Sequence, residues 1–277
     1  MTDAPPEPLD EDAAWAAFDA RDRTADGQFV VAVKTTGIYC RPSCAARRPR
    51  REHVRFLDTP GAARAAGFRA CLRCLPDDVT RDRQAVAAAI SLIDAADVPP
   101  SLDTLAAQVG YAPHHFHRLF KRATGVTPAA YARARRTARA TQALAAEPSI
   151  TAALYEAGYA APSRFYADSD QRLGMAPGQW RRGGEGVAIA WTVAPSPMGP
   201  LLVAMTDRGL ARIAFENDEH ALVRALPAAD IRPADAATRD RIARIVAATD
   251  VPDPVLAEPA RRIAFIEAVS QALLGTG

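Results

Sequence analysis

All four cysteines of the chain, Cys40, Cys44, Cys71 and Cys74, fall within one 35-residue stretch. They form a C-x3-C pair and a C-x2-C pair separated by 26 residues. Two close-spaced pairs joined by a longer loop are what a tetrahedral zinc site with four thiolate ligands needs. Any fold of this segment must therefore bring the two pairs together. Disulfides are the competing use of paired cysteines, and they belong to oxidising compartments. The first fifteen residues, MTDAPPEPLDEDAAW, are acidic and lack the apolar run of a signal peptide. No apolar run approaches the ~18 residues of a transmembrane helix. A cytoplasmic, reducing location and no membrane partner are expected, with the cysteines serving as metal ligands or reactive thiols.

Charge divides the chain. Residues 40–83 carry eleven arginines against five acids, and residues 101–182 carry eleven Lys/Arg against five acids. Residues 187–277 carry nine arginines against eleven acids. Two basic blocks followed by an acidic one suggest two modules that face nucleic acid and a third that does not. The expected organisation is a disordered tail over residues 1–12, a small α+β zinc module over 13–79, an all-α double helix-turn-helix domain over 84–182 and a small α/β unit over 187–277.

Local signals fill in this scheme. The spacing predicts a short helix over Asp12–Asp19, a strand over Gln28–Lys34 and a helix over Ala62–Ala66. Ser101 caps a helix over Leu102–Val109, Gly110 stops it, and Pro113 opens a second helix through Arg122. This is a helix-turn-helix pattern, followed by a long basic helix over Pro128–Ala146. A second copy begins at Ile150, with Pro162 opening its second helix; LAAQVGYAPHHF and LYEAGYAAPSRF match. Gly183-Gly184-Glu185-Gly186 reads as a linker. Strands are expected over Ala188–Val193, Leu201–Met205 and Gly209–Phe215. Helices are expected over Ala221–Leu226, Thr238–Ala248 and Arg262–Leu274.

A four-cysteine site is more often structural than reactive. A metal thiolate, however, is already deprotonated and is a nucleophile at neutral pH. In TTGIYCRPSCAARRPRR, residues Arg41, Arg47, Arg48, Arg50 and Arg51 crowd the first pair and would draw a polyanion onto the sulfurs.

The segments TTGIYCRPSC and GFRACLRC resemble the N-terminal domain of the Ada family, the bacterial adaptive-response regulators, from about Gly27 through Asp77. The resemblance implies one Zn2+ held by Cys40, Cys44, Cys71 and Cys74, and transfer of a methyl group from a DNA methylphosphotriester to Cys40. The methyl carbon of a neutral triester is an SN2 electrophile and a phosphodiester anion is a good leaving group, so each molecule would turn over once. The resemblance also places Thr36, Arg47 and Arg69 at the DNA backbone, and Arg73 within the second pair is a further candidate. Methylating one of four thiolates takes the centre from −2 to −1. Losing one charge ~4 Å from a phosphate is worth about 1 kcal/mol in water and about 4 at an effective dielectric near 20. That is about a 5- to 1000-fold gain in DNA affinity, enough for a switch.

YAPHHFHRLFKRATGVTPAAYARARR resembles the AraC-type DNA-binding domain, over roughly Gln84–Arg182. Phe116, Leu119 and Phe120 are expected in the core, and His114, His117, Arg118 and Lys121 on the face that meets the groove. A metal site on His114, His115 and His117 is disfavoured, because only two of the three share a helical face. In the second copy Ser163, Arg164 and Tyr166 can reach DNA. That copy departs from the family pattern at Ala167, Ser169 and Asp170, and Asp168 and Asp170 weaken nearby backbone contacts. WTVAPSPMGPLLVAMTDRGLARIAF resembles the ribonuclease-H-like portion of O6-alkylguanine-DNA methyltransferases. The 203 residues after Cys74 contain no cysteine, so no activity on O6-methylguanine is expected of this block.

The expected function is a self-methylating phosphotriester repair protein that also activates transcription, with double-stranded DNA and RNA polymerase as partners. A zinc-bearing regulator without methyl-acceptor activity, and a thiol or metal stress sensor, are the alternatives.

Overall fold

The computed structural model describes residues 9–146, residue 149 and residues 173–275. These form two compact units, Met1–Ala85 and Val86–Gly277.

In the first unit, helix α1 (Glu11–Ala20) starts where the Asp10 carboxylate accepts hydrogen bonds from the backbone of Asp12 at 2.9 Å and Ala13 at 3.2 Å. The cap and the acidic first turn stabilise this helix start, so the expected tail does not extend to residue 12. Residues 1–8 lie outside the described part. Strands β1 (Val30–Val33), β2 (Ile38–Cys40), β3 (Val54–Leu57) and β4 (Arg69–Ala70) form a sheet in the order β3-β1-β2-β4. β1 alternates across the sheet. Val31 packs with Ala14, Phe18 and Phe29 on one face, and Val30 and Ala32 pack with Tyr39 and Ala63 on the other. Thr59 caps α2 (Pro60–Ala65), with Pro60 at its first turn. Helix α3 (Pro76–Ala95) opens with Pro76, followed by Asp77 and Asp78 in a favourable first turn.

In the second unit, α4 (Leu102–Gln108) is capped by Ser101, whose hydroxyl accepts from Thr104 N–H at 3.1 Å. Helix α5 (Pro113–Thr124) ends at Gly125, whose φ of 81° suits a residue without a side chain. Helix α6 (Pro128–Ala146) locks onto it through edge-on ring contacts. Phe116 meets Phe120, and Phe120 meets Tyr131, each pair at 5.9 Å between centroids. The expected second helix-turn-helix copy, with Ser163, Arg164 and Tyr166, falls outside the described residues.

Beyond it come α7 (Pro177–Arg181), β5 (Ala188–Ala194), β6 (Leu201–Met205), β7 (Leu210–Ala214), α8 (His220–Ala225), β8 (Asp230–Pro233), α9 (Ala236–Ala248) and α10 (Glu258–Gly275). The sheet order is β7-β6-β5-β8, with β8 parallel to β5. Its two faces serve two cores. Leu202 and Ala204 pack with Trp180, Leu222, Leu226 and with Ala140, Ala143 and Leu144 of α6. Leu201 and Val203 pack with Ile242, Val246, Phe265 and Val269 of α9 and α10. The architecture is thus α+β, then helical, then α/β.

The stretch read as a linker is a packed turn. Gly184 N–H donates to Gln179 O and Ala228 N–H to Gly183 O, both at 2.8 Å. Gly184 has φ 81°, and a Cβ there would come 2.7 Å from Ala229 Cβ. Gly184→Ala therefore combines backbone strain with overlap, and a loss of about 2–4 kcal/mol is expected in urea denaturation. A free linker would tolerate the change.

Candidate metal centre and nucleic-acid interface

Sheet pairing assembles the cysteines. β2 runs parallel to β4, with Tyr39 opposite Ala70, and Cys71 N–H donates to Tyr39 O at 2.9 Å. Parallel strands place their C-terminal ends together, so Cys40, which ends β2, meets Cys71, which follows β4. Tight turns then return Cys44 and Cys74. Cys44 N–H donates to Arg41 O at 3.1 Å, and Leu75 N–H donates to Cys71 O at 2.9 Å.

Two side-chain clamps hold these turns. Asp26, 9 % exposed, accepts from Ser43 N–H at 2.9 Å and Ser43 Oγ–H at 2.6 Å, and lies 3.8 Å from Arg41 Nε. Tyr39, fully buried, donates its hydroxyl hydrogen to Asp77 Oδ1 at 2.6 Å. Arg64 Nη1 joins Asp77 Oδ2 at 2.9 Å and donates to the Tyr39 oxygen at 3.2 Å. The first clamp fixes the loop between Cys40 and Cys44. The second ties β2 to the start of α3, just past Cys74.

The four ligand atoms lie within 4.8 Å of one another, and all four cysteines are free thiols. Ligands at the ~2.3 Å of a zinc–sulfur bond around a tetrahedron stand about 3.8 Å apart. The cluster therefore fits one Zn2+. The donor chemistry agrees: four buried sulfurs this close cannot ionise together without a cation. Left to themselves they share a proton network. A hydrogen bond from Cys40 pulls the Cys74 thiol down to about 5, and that bond together with burial drives the Cys40 thiol up. Cys40 and Cys71 keep 8 % and 9 % exposure against 3 % and 4 % for Cys44 and Cys74, so the sheet-end pair is the more accessible.

The arginines of the first pair divide by partner, which corrects the expectation that all five face a polyanion. Arg48 stacks over Phe18 at 4.0 Å and donates to Asp19 O at 3.2 Å. Arg51 lies over Trp15 at 5.6 Å and pairs with Asp12. Both pin the chain to α1. Arg41 turns towards Asp26, and Arg50 lies 3.7 Å from Glu52. Arg47 is exposed, and among the described residues no ion pair holds it. Thr36 is exposed in the β1–β2 turn, and Arg69 N–H donates to Gly37 O at 2.8 Å, so the structure brings Thr36 and Arg69 together. Arg73 is exposed between Cys71 and Cys74. The signals that sequence reading missed are the Asp26–Ser43 and Tyr39–Asp77–Arg64 clamps, whose partners are distant in the chain.

On α5, Phe116, Leu119 and Phe120 are buried while His114, Arg118 and Lys121 are exposed, as the helical spacing requires. His117 is half-buried rather than fully presented. Tyr111 packs against His115 at 5.3 Å between ring centroids, which occupies the third histidine structurally.

Residues 13–77 match the metal binding domain of Ada, residues 105–183 a helix-turn-helix domain, and residues 189–246 the ribonuclease-like domain of 6-O-methylguanine DNA methyltransferase. Over 274 residues the chain is 39 % identical to the bifunctional transcriptional activator/DNA repair enzyme Ada of Escherichia coli, covering 96 % of this chain and 77 % of that protein. It is 36 % identical over 122 residues to the corresponding AdaA protein of Bacillus subtilis, covering 43 % of this chain and 58 % of that one. Among solved structures, the methylated N-Ada/DNA complex is 45 % identical and covers 47 % of this chain and 99 % of its own, with a TM-score of 0.34.

One Zn2+ at this cluster has a thermodynamic consequence, because metal binding by such sites is folding free energy, about 10–16 kcal/mol in small zinc modules. Metal analysis of the purified protein is expected to return one zinc per chain, and Cys71→Ala none. Chelation is expected to melt the first unit while the helical and sheet signals of the second persist.

Proposed function

Because the chain belongs to the Ada family, we propose that it repairs methylated DNA phosphates by taking the methyl group onto Cys40, and that it activates transcription in response. The carrying observation is the buried four-thiol cluster at the sheet end, with Arg47, Arg69 and Arg73 exposed close to its cysteines in sequence. When bound, Zn2+ keeps the sulfurs deprotonated, so no separate general base is needed.

The chain's own residues do the rest. Thr36, Arg47, Arg69 and Arg73 bind the phosphates that flank the lesion, and the positively charged groups fix the backbone's register. The Asp26–Ser43 and Tyr39–Asp77–Arg64 clamps hold Cys40 in one orientation, which converts an encounter into an aligned attack. The Cys40 sulfur forms a bond to the methyl carbon as the bond from that carbon to the ester oxygen breaks. The electron pair leaves on the phosphodiester, restored to its usual anion. The methyl thioether formed is a stable bond that does not readily give its methyl group back, so each molecule acts once.

Helix α5 presents His114, Arg118 and Lys121, with half-buried His117, to the DNA groove at the promoter. Loss of one negative charge at the cluster raises affinity for that DNA, and RNA polymerase is the partner recruited there. Within residues 75–277 there is no cysteine, so the ribonuclease-like match brings no acceptor for O6-methylguanine. Free thiolates of this kind persist in a reducing compartment, which fits the cytoplasm, and no helix among the described residues is long and apolar enough to cross a membrane.

Two experiments test the proposal. With a radiolabelled methyl group in DNA, uptake of one methyl per chain is expected from a methylphosphotriester and none from O6-methylguanine. No uptake from the triester, with promoter binding intact, would favour a plain zinc regulator. In a salt titration of promoter binding, the methylated form is expected to bind more tightly at low salt. Arg47→Ala is expected to reduce the salt slope by about 1; equal affinities of the two forms would contradict the switch.

A further inference from the structure

The turn that carries Cys71 and Cys74 has an apolar surface that metal binding does not require. Among the described residues of the first unit, the exposed large apolar side chains are Leu72 and Leu75, 81 % and 49 % exposed. Each sits directly beside a ligand cysteine. Leu75 also has φ 45°, in the left-handed region that disfavours a residue with a Cβ. Glycine would close the same turn without that strain. Burial does not offset the cost, since half of the Leu75 side chain faces solvent. Strained backbone of this kind persists where surrounding structure holds it, and it clusters at functional sites.

Leu72 lies between exposed Arg69 and Arg73, while Leu75 is followed by exposed Asp77, which pairs with Arg64, and by Asp78. An apolar pair beside arginines complements a ligand that is anionic along its length and neutral at one point. DNA with one methylated phosphate is such a ligand. Its flanking diesters are charged, while the triester is uncharged and presents a methyl group. We propose that Leu72 and Leu75 form an apolar lip that selects the methylated phosphate over ordinary diesters. This rests on the reading that the first unit acts on DNA phosphotriesters, and it adds the residues that discriminate substrate from undamaged DNA.

Arginine attracts every phosphate and so favours undamaged DNA at least as much as the lesion. Discrimination needs an element that disfavours charge. A diester oxygen pressed against leucine loses water without gaining a donor. A triester methyl in the same place gains apolar burial, worth about fourfold in affinity per methylene-sized group. The two effects act in the same direction, so the selectivity of the lip exceeds either alone.

The test separates recognition from transfer by using duplexes with a single methylphosphonate linkage. That linkage is neutral and carries its methyl on phosphorus, so nothing can be transferred. The quantity measured is the ratio of affinity for this duplex to affinity for the unmodified one. In Leu72→Ser the ratio is expected to fall about three- to tenfold, with zinc content and melting temperature unchanged because Leu72 packs against little. In Leu75→Gly the ratio is expected to fall while the melting temperature does not drop, since the turn loses its strain. An equal fall in both affinities would make the lip a general contact and overturn its selective role. Unchanged affinities for both duplexes would overturn the proposal in favour of a protein contact at this turn. Methyl uptake by the wild-type chain is scored separately, so its absence would sink the repair reading while a shifted ratio still supported selective binding.

Discussion

The hydrogen bond from Cys71 N–H to the Tyr39 carbonyl joins two strands that are far apart in sequence, and the zinc module depends on it. Because β2 and β4 are parallel, their C-terminal ends coincide, and so do the cysteines that follow or end them. Antiparallel pairing would have placed Cys40 and Cys71 at opposite ends of the strands. The remaining two ligands need only tight turns, and carboxylate–hydroxyl clamps brace both. The sheet is short, and its β4 strand has two residues. Metal–ligand bonds supply the cohesion that so small a core lacks.

Electrostatics gives the same cluster its chemistry. Four thiolates and one dication concentrate a net negative charge beside a surface that must meet a polyanion. The first unit handles this by dividing its arginines. Arg48 and Arg51 are committed to aromatic rings of α1, where they act as packing. Arg47, Arg69 and Arg73 are exposed around the cysteines. Under the proposed function, methylation lowers the charge of the centre and raises affinity for DNA, so damage and response are read at one atom.

Much of this was legible in the sequence. The cysteine spacing implied the metal, and Pro113, Ser101 and Gly110 marked the helix-turn-helix, because caps and stops are local chemistry. Strands β2, β3, β4 and β8 escaped notice. They are two to four residues long, and Ile38–Cys40 and Arg69–Ala70 are sequences whose strand character comes from pairing rather than pattern. The same limit hid the roles of the arginines, since nothing near Arg48 in sequence announces Phe18 as its partner. Gly183–Gly186 read as a linker because glycine marks both free hinges and crowded turns. Here Gly184 lies too close to Ala229 for any side chain.

One sulfur of the four, that of Cys40, is the proposed methyl acceptor. The most direct measurement is peptide mapping by tandem mass spectrometry after reaction with DNA bearing methylphosphotriesters and removal of zinc. A single methyl thioether is expected on the peptide containing Cys40 and Cys44, with fragmentation placing it on Cys40. A methyl group on Cys44, Cys71 or Cys74, or one spread over several of them, would contradict that assignment.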